Sequence, residues 1–277
     1  DESNSTMTKR LEAVNIHSTP ESRLSFRETL FSSDGIKEFI GGVILYDETI
    51  NQMTNLGKSI PDLISFSGAI PGIKVDTGAK NLANSSEEKI TEGLDGLRER
   101  LKKYYKLGAQ FTKWRGVYNI SDQYPSKLAI HSNAHALARY SALVQECNMV
   151  PIVEPEVLME GYHSADDCLK KTSEVIQKCF EELIINKVDL KGVILKPNMI
   201  LAGNLSKNKI TNEEVAIKTL ECLKSSVPNE VPGIAFLSGG QSELEATENL
   251  NLINKKNNSN FIMTYSYGRA LQKSALE

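Results

Sequence analysis

The segment Gly192-Val193-Ile194-Leu195-Lys196-Pro197-Asn198-Met199 decides how the rest of the chain is read. Its apolar run is short, rich in branched residues and nearly continuous, which fits a strand buried on both faces. A lysine ends the run, and one lysine at one strand end is by itself usually a solvated charge. Its meaning depends on whether the pattern recurs. It does, at Gly42 to Tyr46, Gly72 to Asp76, Phe111 to Arg115, Val150 to Glu154, Gly233 to Leu237 and Phe261 to Tyr265.

Amphipathic charged segments separate these runs. Ser86 to Leu107 places Ile90, Leu94, Leu97 and Leu101 among charges and predicts one long helix. Pro125 stands where a first helical residue fits, ahead of Leu128 to Cys147. Ser164 and Thr211 each precede an acid by three residues, the capping pattern of a helix start. Strand starts recur every roughly 30–40 residues, the spacing of a βα unit. The pattern predicts an α/β chain, a TIM (β/α)8 barrel, in one domain spanning 1–277. Seven strands are counted, and two helical segments, around Thr6 to Leu11 and Glu21 to Phe31, precede the first. The expectation is that a first strand lies upstream of Asp1; a seven-stranded barrel is the alternative.

The 277 residues suit a single barrel, and 40% hydrophobic and 24% charged residues are those of a globular chain. A net charge of -3 argues against a nucleic-acid partner, which needs clustered excess Lys and Arg. No apolar run approaches the roughly 18 residues of a membrane span, and no secretory signal opens the chain. The four cysteines contain no C-x-x-C pair and read as reduced thiols of a cytoplasmic protein. His131 and His135 have zinc-ligand spacing on a helix but lack the intervening glutamate of a metalloprotease motif, so no metal is expected there.

In a barrel the C-terminal strand ends face the active site. Here those ends carry Lys74 and Asp76, Lys113 and Arg115, Glu154 and Glu156, Lys196, Ser238-Gly239-Gly240, and Ser266-Tyr267-Gly268-Arg269. Residues two apart on a strand share a face, so each pair projects into one cavity. Burial disfavours the ammonium of Lys196, and a neutral amine attacks ketones. Lys113 pushes the same way, and Glu154 is placed to shuttle protons. The two glycine-rich ends, with Arg269, suit a phosphate.

The chain resembles class I fructose-bisphosphate aldolases over essentially its whole length. The matching segments include Asp1-Glu2-Ser3, Lys9-Arg10-Leu11, Pro71-Gly72-Ile73-Lys74-Val75-Asp76 and Lys113-Trp114-Arg115. They continue through Val150-Pro151-Ile152-Val153-Glu154-Pro155-Glu156, Leu195-Lys196-Pro197-Asn198-Met199, Phe236-Leu237-Ser238-Gly239-Gly240-Gln241 and Ser266-Tyr267-Gly268-Arg269-Ala270-Leu271.

The resemblance implies Lys196 as Schiff-base nucleophile, Glu154 as main acid/base with Glu156 and Lys113 beside it, and Asp1 for the C4 hydroxyl proton. It implies Ser3, Thr6, Arg10, Lys74 and Arg115 along the sugar and its second phosphate. Ser238, Gly239, Gly240, Ser266, Gly268 and Arg269 then hold the C1 phosphate. It also implies a glycolytic enzyme cleaving fructose 1,6-bisphosphate to dihydroxyacetone phosphate and glyceraldehyde 3-phosphate, without metal or cofactor, cytoplasmic and homotetrameric. Departures from the usual pattern stand at Ser5, Thr6, Thr77, His135 and Val193. A Schiff-base aldolase for another sugar phosphate, and a barrel scaffold or binding protein with little turnover, are the alternatives.

Overall fold

The computed structural model describes residues 2–85 and 87–276. Three helices, α1 (Asn4–Ala13), α2 (Pro20–Phe31) and α3 (Ile36–Phe39), precede β1 (Gly42–Leu45). Then come α4 (Asp47–Ile50), α5 (Ile60–Phe66), β2 (Ile70–Lys74), β3 (Gly78–Asn81), β4 (Lys89–Glu92), α6 (Leu97–Lys106) and β5 (Phe111–Tyr118). From there strands and helices alternate: α7 (Lys127–Glu146), β6 (Val150–Val157), α8 (Ala165–Ile185), β7 (Ile194–Leu195) and α9 (Asn212–Ser226). The last four elements are β8 (Gly233–Phe236), α10 (Glu243–Lys256), β9 (Ile262–Tyr265) and α11 (Arg269–Leu276).

Seven strands form one parallel sheet in the order β1-β2-β5-β6-β7-β8-β9. Residues from all seven line a single cavity, so the sheet is curled, with helices outside it, as the wall of a TIM barrel. Register follows chain order: Gly72 pairs Phe111, Arg115 pairs Glu154, Val153 pairs Leu195 and Phe236 pairs Tyr265. Among the described residues no strand pairing joins β9 to β1. The Tyr265 hydroxyl donates to the Phe39 carbonyl across that interval at 2.5 Å.

The period of two along the strands sorts side chains between cavity and core. On β5, Lys113 and Arg115 face the cavity, while Trp114 packs on Tyr140 of α7 with ring centroids 5.4 Å apart. On β6, Ile152, Glu154 and Glu156 line the cavity, and Val153 lies in the outer core. Around β7, Ile194 and Lys196 line it; Val193 and Leu195 are fully buried in the core. The valine at 193 therefore points away from the site.

Two expectations need correction. The stretch read as one helix from Ser86 to Leu107 is not one. Ser86 lies outside the described residues, Lys89–Glu92 pairs with Gly78–Asn81 as an antiparallel hairpin, and only Leu97–Lys106 is helical. Gly93 at φ 126° and Gly96 at φ 63° hold conformations that interrupt a helix, and the spacing of Ile90 and Leu94 imitated one. Pro125 is not the first residue of α7. Ser126 is its N-cap, its side chain accepting from the Ala129 amide, and the helix begins at Lys127. The capping boxes at Ser164 with Asp167 and Thr211 with Glu214 are present as read.

Candidate active site

Glu154 is the centre of the cavity's charge. Its Oε1 accepts from Lys196 Nζ at 2.7 Å and its Oε2 faces Lys113 Nζ at 3.0 Å. All three come from neighbouring strands, Lys113 and Glu154 from within β5 and β6 and Lys196 from the residue that follows β7. The Lys196 amide donates to the Val153 carbonyl at 2.8 Å, which fixes the lysine one strand across from the acid. Glu154 is 2% exposed and Lys196 8%, so the cluster is largely out of water.

Burial and charge compete at each group. Burial pushes the Glu154 carboxyl up; the charges of Lys113, Lys196 and Arg115 outweigh it and hold the acid below the ordinary carboxylate range. Burial lowers Lys196, Glu154 pulls it back up, Lys113 lowers it again, and the net shift is down. Burial also lowers Lys113, but Glu154 and Asp76 more than compensate and raise it. The two lysines thus differ. Lys113 holds its proton and Lys196 is the one prepared to release it.

A second row of ion pairs lies beside this cluster. Arg115 Nε donates to Glu156 Oε2 at 2.5 Å, and Lys74 Nζ to Asp76 Oδ1 at 2.6 Å. Burial opposes the Arg115 charge, yet Glu156 raises that group overall. Asp76 also accepts from the Gly78 amide at 3.1 Å, and with little exposure it braces Lys74. The sequence put Asp76 on the right face without giving it this bracing role.

The rim is made of turns and helix ends. Gly239 and Gly240 have φ 57° and 80°, conformations that L side chains rarely adopt, and a Cβ at Gly240 would lie 2.7 Å from Met159 Sδ. Ser238 precedes this turn and Ser266 follows β9, its amide donating to the Phe236 carbonyl at 2.8 Å. Gly268 and Arg269 open α11. Beside the start of α11, α1 and its cap contribute Ser3, Thr6 and Arg10, with Ser3 capping the helix by accepting from the Thr6 amide.

The cavity, about 1480 Å³, brings together Lys196, Glu154, Glu156, Lys113, Arg115 and Lys74 with Ser3, Thr6 and Arg10. It also includes Ser238, Gly239, Gly240, Ser266, Gly268 and Arg269. Asp1, expected to handle the C4 hydroxyl proton, lies outside the described residues. Two residues missed from the sequence are Glu2, which pairs with Arg10 at 3.0 Å, and Gln272, whose Oε1 accepts from Arg10 Nη1 at 2.8 Å. No local pattern marks either, because the contact joins the two ends of the described chain.

His131 and His135 stand apart on the outer face of α7. Both turn Nδ1 toward Glu182 of α8, at 3.3 and 3.0 Å, and Lys178 shares that carboxylate at 3.2 Å. Their spacing thus serves an interhelix contact. Among the described residues no helix is long and apolar enough to cross a membrane.

Comparison with known proteins agrees with this geometry. The family model described as "Glycolytic: Fructose-bisphosphate aldolase class-I" matches residues 1–277. A cytosolic fructose-bisphosphate aldolase of Arabidopsis thaliana is 46% identical over 278 residues, covering 100% of this chain and 71% of the relative. A probable class 1 aldolase of Xanthomonas campestris is 47% identical over 277 residues, covering 100% and 83%. The chain also superposes on a solved fructose-bisphosphate aldolase of Plasmodium falciparum, crystallised with TRAP and a small-molecule inhibitor. That match has a TM-score of 0.98 at 46% identity, over 100% of this chain and 80% of that one.

Proposed function

Because the chain belongs to the class-I fructose-bisphosphate aldolase family, we propose a residue-level account of how it cleaves its substrate, with Lys196 as the group that attacks the ketone. The activity is that of a glycolytic fructose-bisphosphate aldolase: reversible cleavage of fructose 1,6-bisphosphate to dihydroxyacetone phosphate and glyceraldehyde 3-phosphate. The observation that carries the assignment is Glu154 held between two amines, Lys196 at 2.7 Å and Lys113 at 3.0 Å.

In this account Glu154 takes a proton from Lys196, and the freed amine adds to C2. Proton transfers through Glu154 convert the C2 oxygen to water as it leaves, and a protonated imine remains. The positive imine is an electron sink. A base removes the C4 hydroxyl proton, C3–C4 breaks, the aldehyde departs and the bond's electron pair becomes an enamine. Asp1 is the base implied by the family resemblance. Protonation at C3 and addition of water then release dihydroxyacetone phosphate and regenerate the amine. Lys113 stays charged and Glu156 is engaged by Arg115, so the field around Glu154 is fixed before substrate arrives.

Lys74, Arg115, Arg10 and Arg269 line the same cavity as the cluster, cations that suit a substrate with two phosphates. Lys74, Arg115, Ser3, Thr6 and Arg10 serve the sugar chain and its distal phosphate. Ser238, Gly239, Gly240, Ser266, Gly268 and Arg269 serve the phosphate on C1. Residues 1–277 act in this reading as one barrel unit, cytoplasmic and homotetrameric. The cytosolic naming of an Arabidopsis relative supports the location, and light scattering tests the assembly.

Sodium borohydride added with dihydroxyacetone phosphate reduces the imine and leaves a stable adduct. Peptide mapping by mass spectrometry is expected to find it on Lys196. An adduct on Lys113, or none in an active preparation, overturns the assignment.

A further inference from the structure

The turn Ser238-Gly239-Gly240-Gln241 carries three of the residues assigned to the C1 phosphate, and its fourth lies behind them. Ser238, Gly239 and Gly240 line the cavity; Gln241 does not, and is 6% exposed. Its backbone and side-chain nitrogens donate to one and the same atom. The Gln241 amide closes the turn on the Ser238 carbonyl oxygen at 3.1 Å, and Gln241 Nε2 donates to that oxygen at 2.8 Å.

The side chain of Gln241 is itself held. Asn249 of α10 is fully buried, and its Nδ2 donates to Gln241 Oε1 at 2.7 Å. A side-chain amide that accepts on one side presents its nitrogen on the other, so Asn249 sets Nε2, and not Oε1, against Ser238. Met199 Sδ packs against the same nitrogen at 3.6 Å.

Capture of the Ser238 carbonyl has a consequence across the peptide plane. In a trans peptide the N–H points opposite to the C=O, so the Gly239 N–H points away from Gln241. Among the described residues neither the Gly239 nor the Gly240 amide donates to a protein acceptor, which leaves both donors for a ligand oxygen. The turn needs such a hold. Its φ values of 57° and 80° suit glycine, but two adjacent glycines also have the most freedom to leave them.

We propose that Gln241, oriented by Asn249, is a positioning residue for phosphate: by holding the Ser238 carbonyl behind the turn it aims the Gly239 N–H into the cavity. Gln241 touches no substrate and acts through the turn. The inference rests on the assignment of Gly239 to the C1 phosphate.

The test compares borohydride trapping at Lys196 by dihydroxyacetone phosphate and by dihydroxyacetone, each below saturation, in the wild-type chain, Gln241→Met and Asn249→Leu. Gln241→Met keeps the length of the side chain and removes the donor; Asn249→Leu removes the group that orients it. With the phosphorylated ketone the trapping rate is expected to fall about three- to thirtyfold in Gln241→Met, and by less in Asn249→Leu. With dihydroxyacetone it stays within about twofold of wild type, and for bisphosphate cleavage KM rises with kcat little changed, a split that loss of stability alone does not produce. Either variant decides the test if the other does not fold. Equal losses on the two ketones, or no loss on either, overturn the role of Gln241 alone. A wild-type chain that shows no preference for the phosphorylated ketone and no inhibition by inorganic phosphate overturns the phosphate assignment, and the role of Gln241 with it.

Discussion

Two carboxylates in this molecule are each held between two cations, and only one of them is surrounded by chemistry. Glu154 lies between Lys196 and Lys113 at 2.7 and 3.0 Å. Glu48 lies between Arg23 and Arg27, each at 2.6 Å. Hydrogen bonding to Arg23 lowers the Glu48 carboxyl, burial opposes that, and Arg27 completes the downward shift. The local electrostatics look alike and the difference is in the cations. A guanidinium never gives up its proton in a protein, whereas a buried ammonium does. The Glu48 cluster can only hold α1, α2 and α4 together. In the proposed account the Glu154 cluster moves a proton and exposes a nucleophile.

The largest effect should come from making the second cluster resemble the first. Lys196→Arg keeps the charge beside Glu154 and removes the releasable amine, and kcat/KM is expected to fall by about four orders of magnitude or more. Glu154→Gln keeps both amines but removes the proton carrier. Steady-state kinetics should show kcat reduced about 10²–10⁴-fold, with a modest stability change because Lys196 can relieve the buried charge by losing its proton. Glu48→Gln reverses that balance. Arg27 has no such relief, so chemical denaturation should show a loss toward the low end of about 3–5 kcal/mol, Glu48 being partly solvated. Arg23→Lys leaves a charge on Glu48 but loses the paired Nε and Nη2 bonds, and should cost about 1 kcal/mol or less.

The same contrast marks how far the sequence could be read. The Glu154 cluster was legible because its members sit on strands, where a period of two and the end of an apolar run give direction as well as position. Lys113, Glu154 and Lys196 needed only the barrel to bring them together, and the family resemblance named their roles. The Glu48 cluster was not legible. Arg23 and Arg27 are four apart on an ordinary charged helix, and nothing local says that both turn inward onto an acid at the start of α4. The Glu2, Arg10 and Gln272 contact was hidden for the same reason, since it closes across 262 residues of chain. The β3–β4 hairpin was misread because its apolar residues fell at helical spacing, although Gly93 and Gly96 carried the opposing signal.

The central claim is that burial and Lys113 together prepare Lys196 to react as a neutral amine. It is tested most directly by the pH dependence of borohydride trapping at Lys196 with dihydroxyacetone phosphate, in the wild-type chain and in Lys113→Met. Only the neutral amine adds to the ketone, so the trapping rate rises as Lys196 loses its proton. Burial first, and then the charge of Lys113, disfavours the ammonium; Glu154 opposes them without prevailing. The account predicts a rising limb below the ordinary lysine value of about 10.4. In Lys113→Met the limb should move to higher pH, since a repelling charge is gone and Glu154 is left to Lys196 alone. A limb at the ordinary lysine value, unmoved by the substitution, would contradict it.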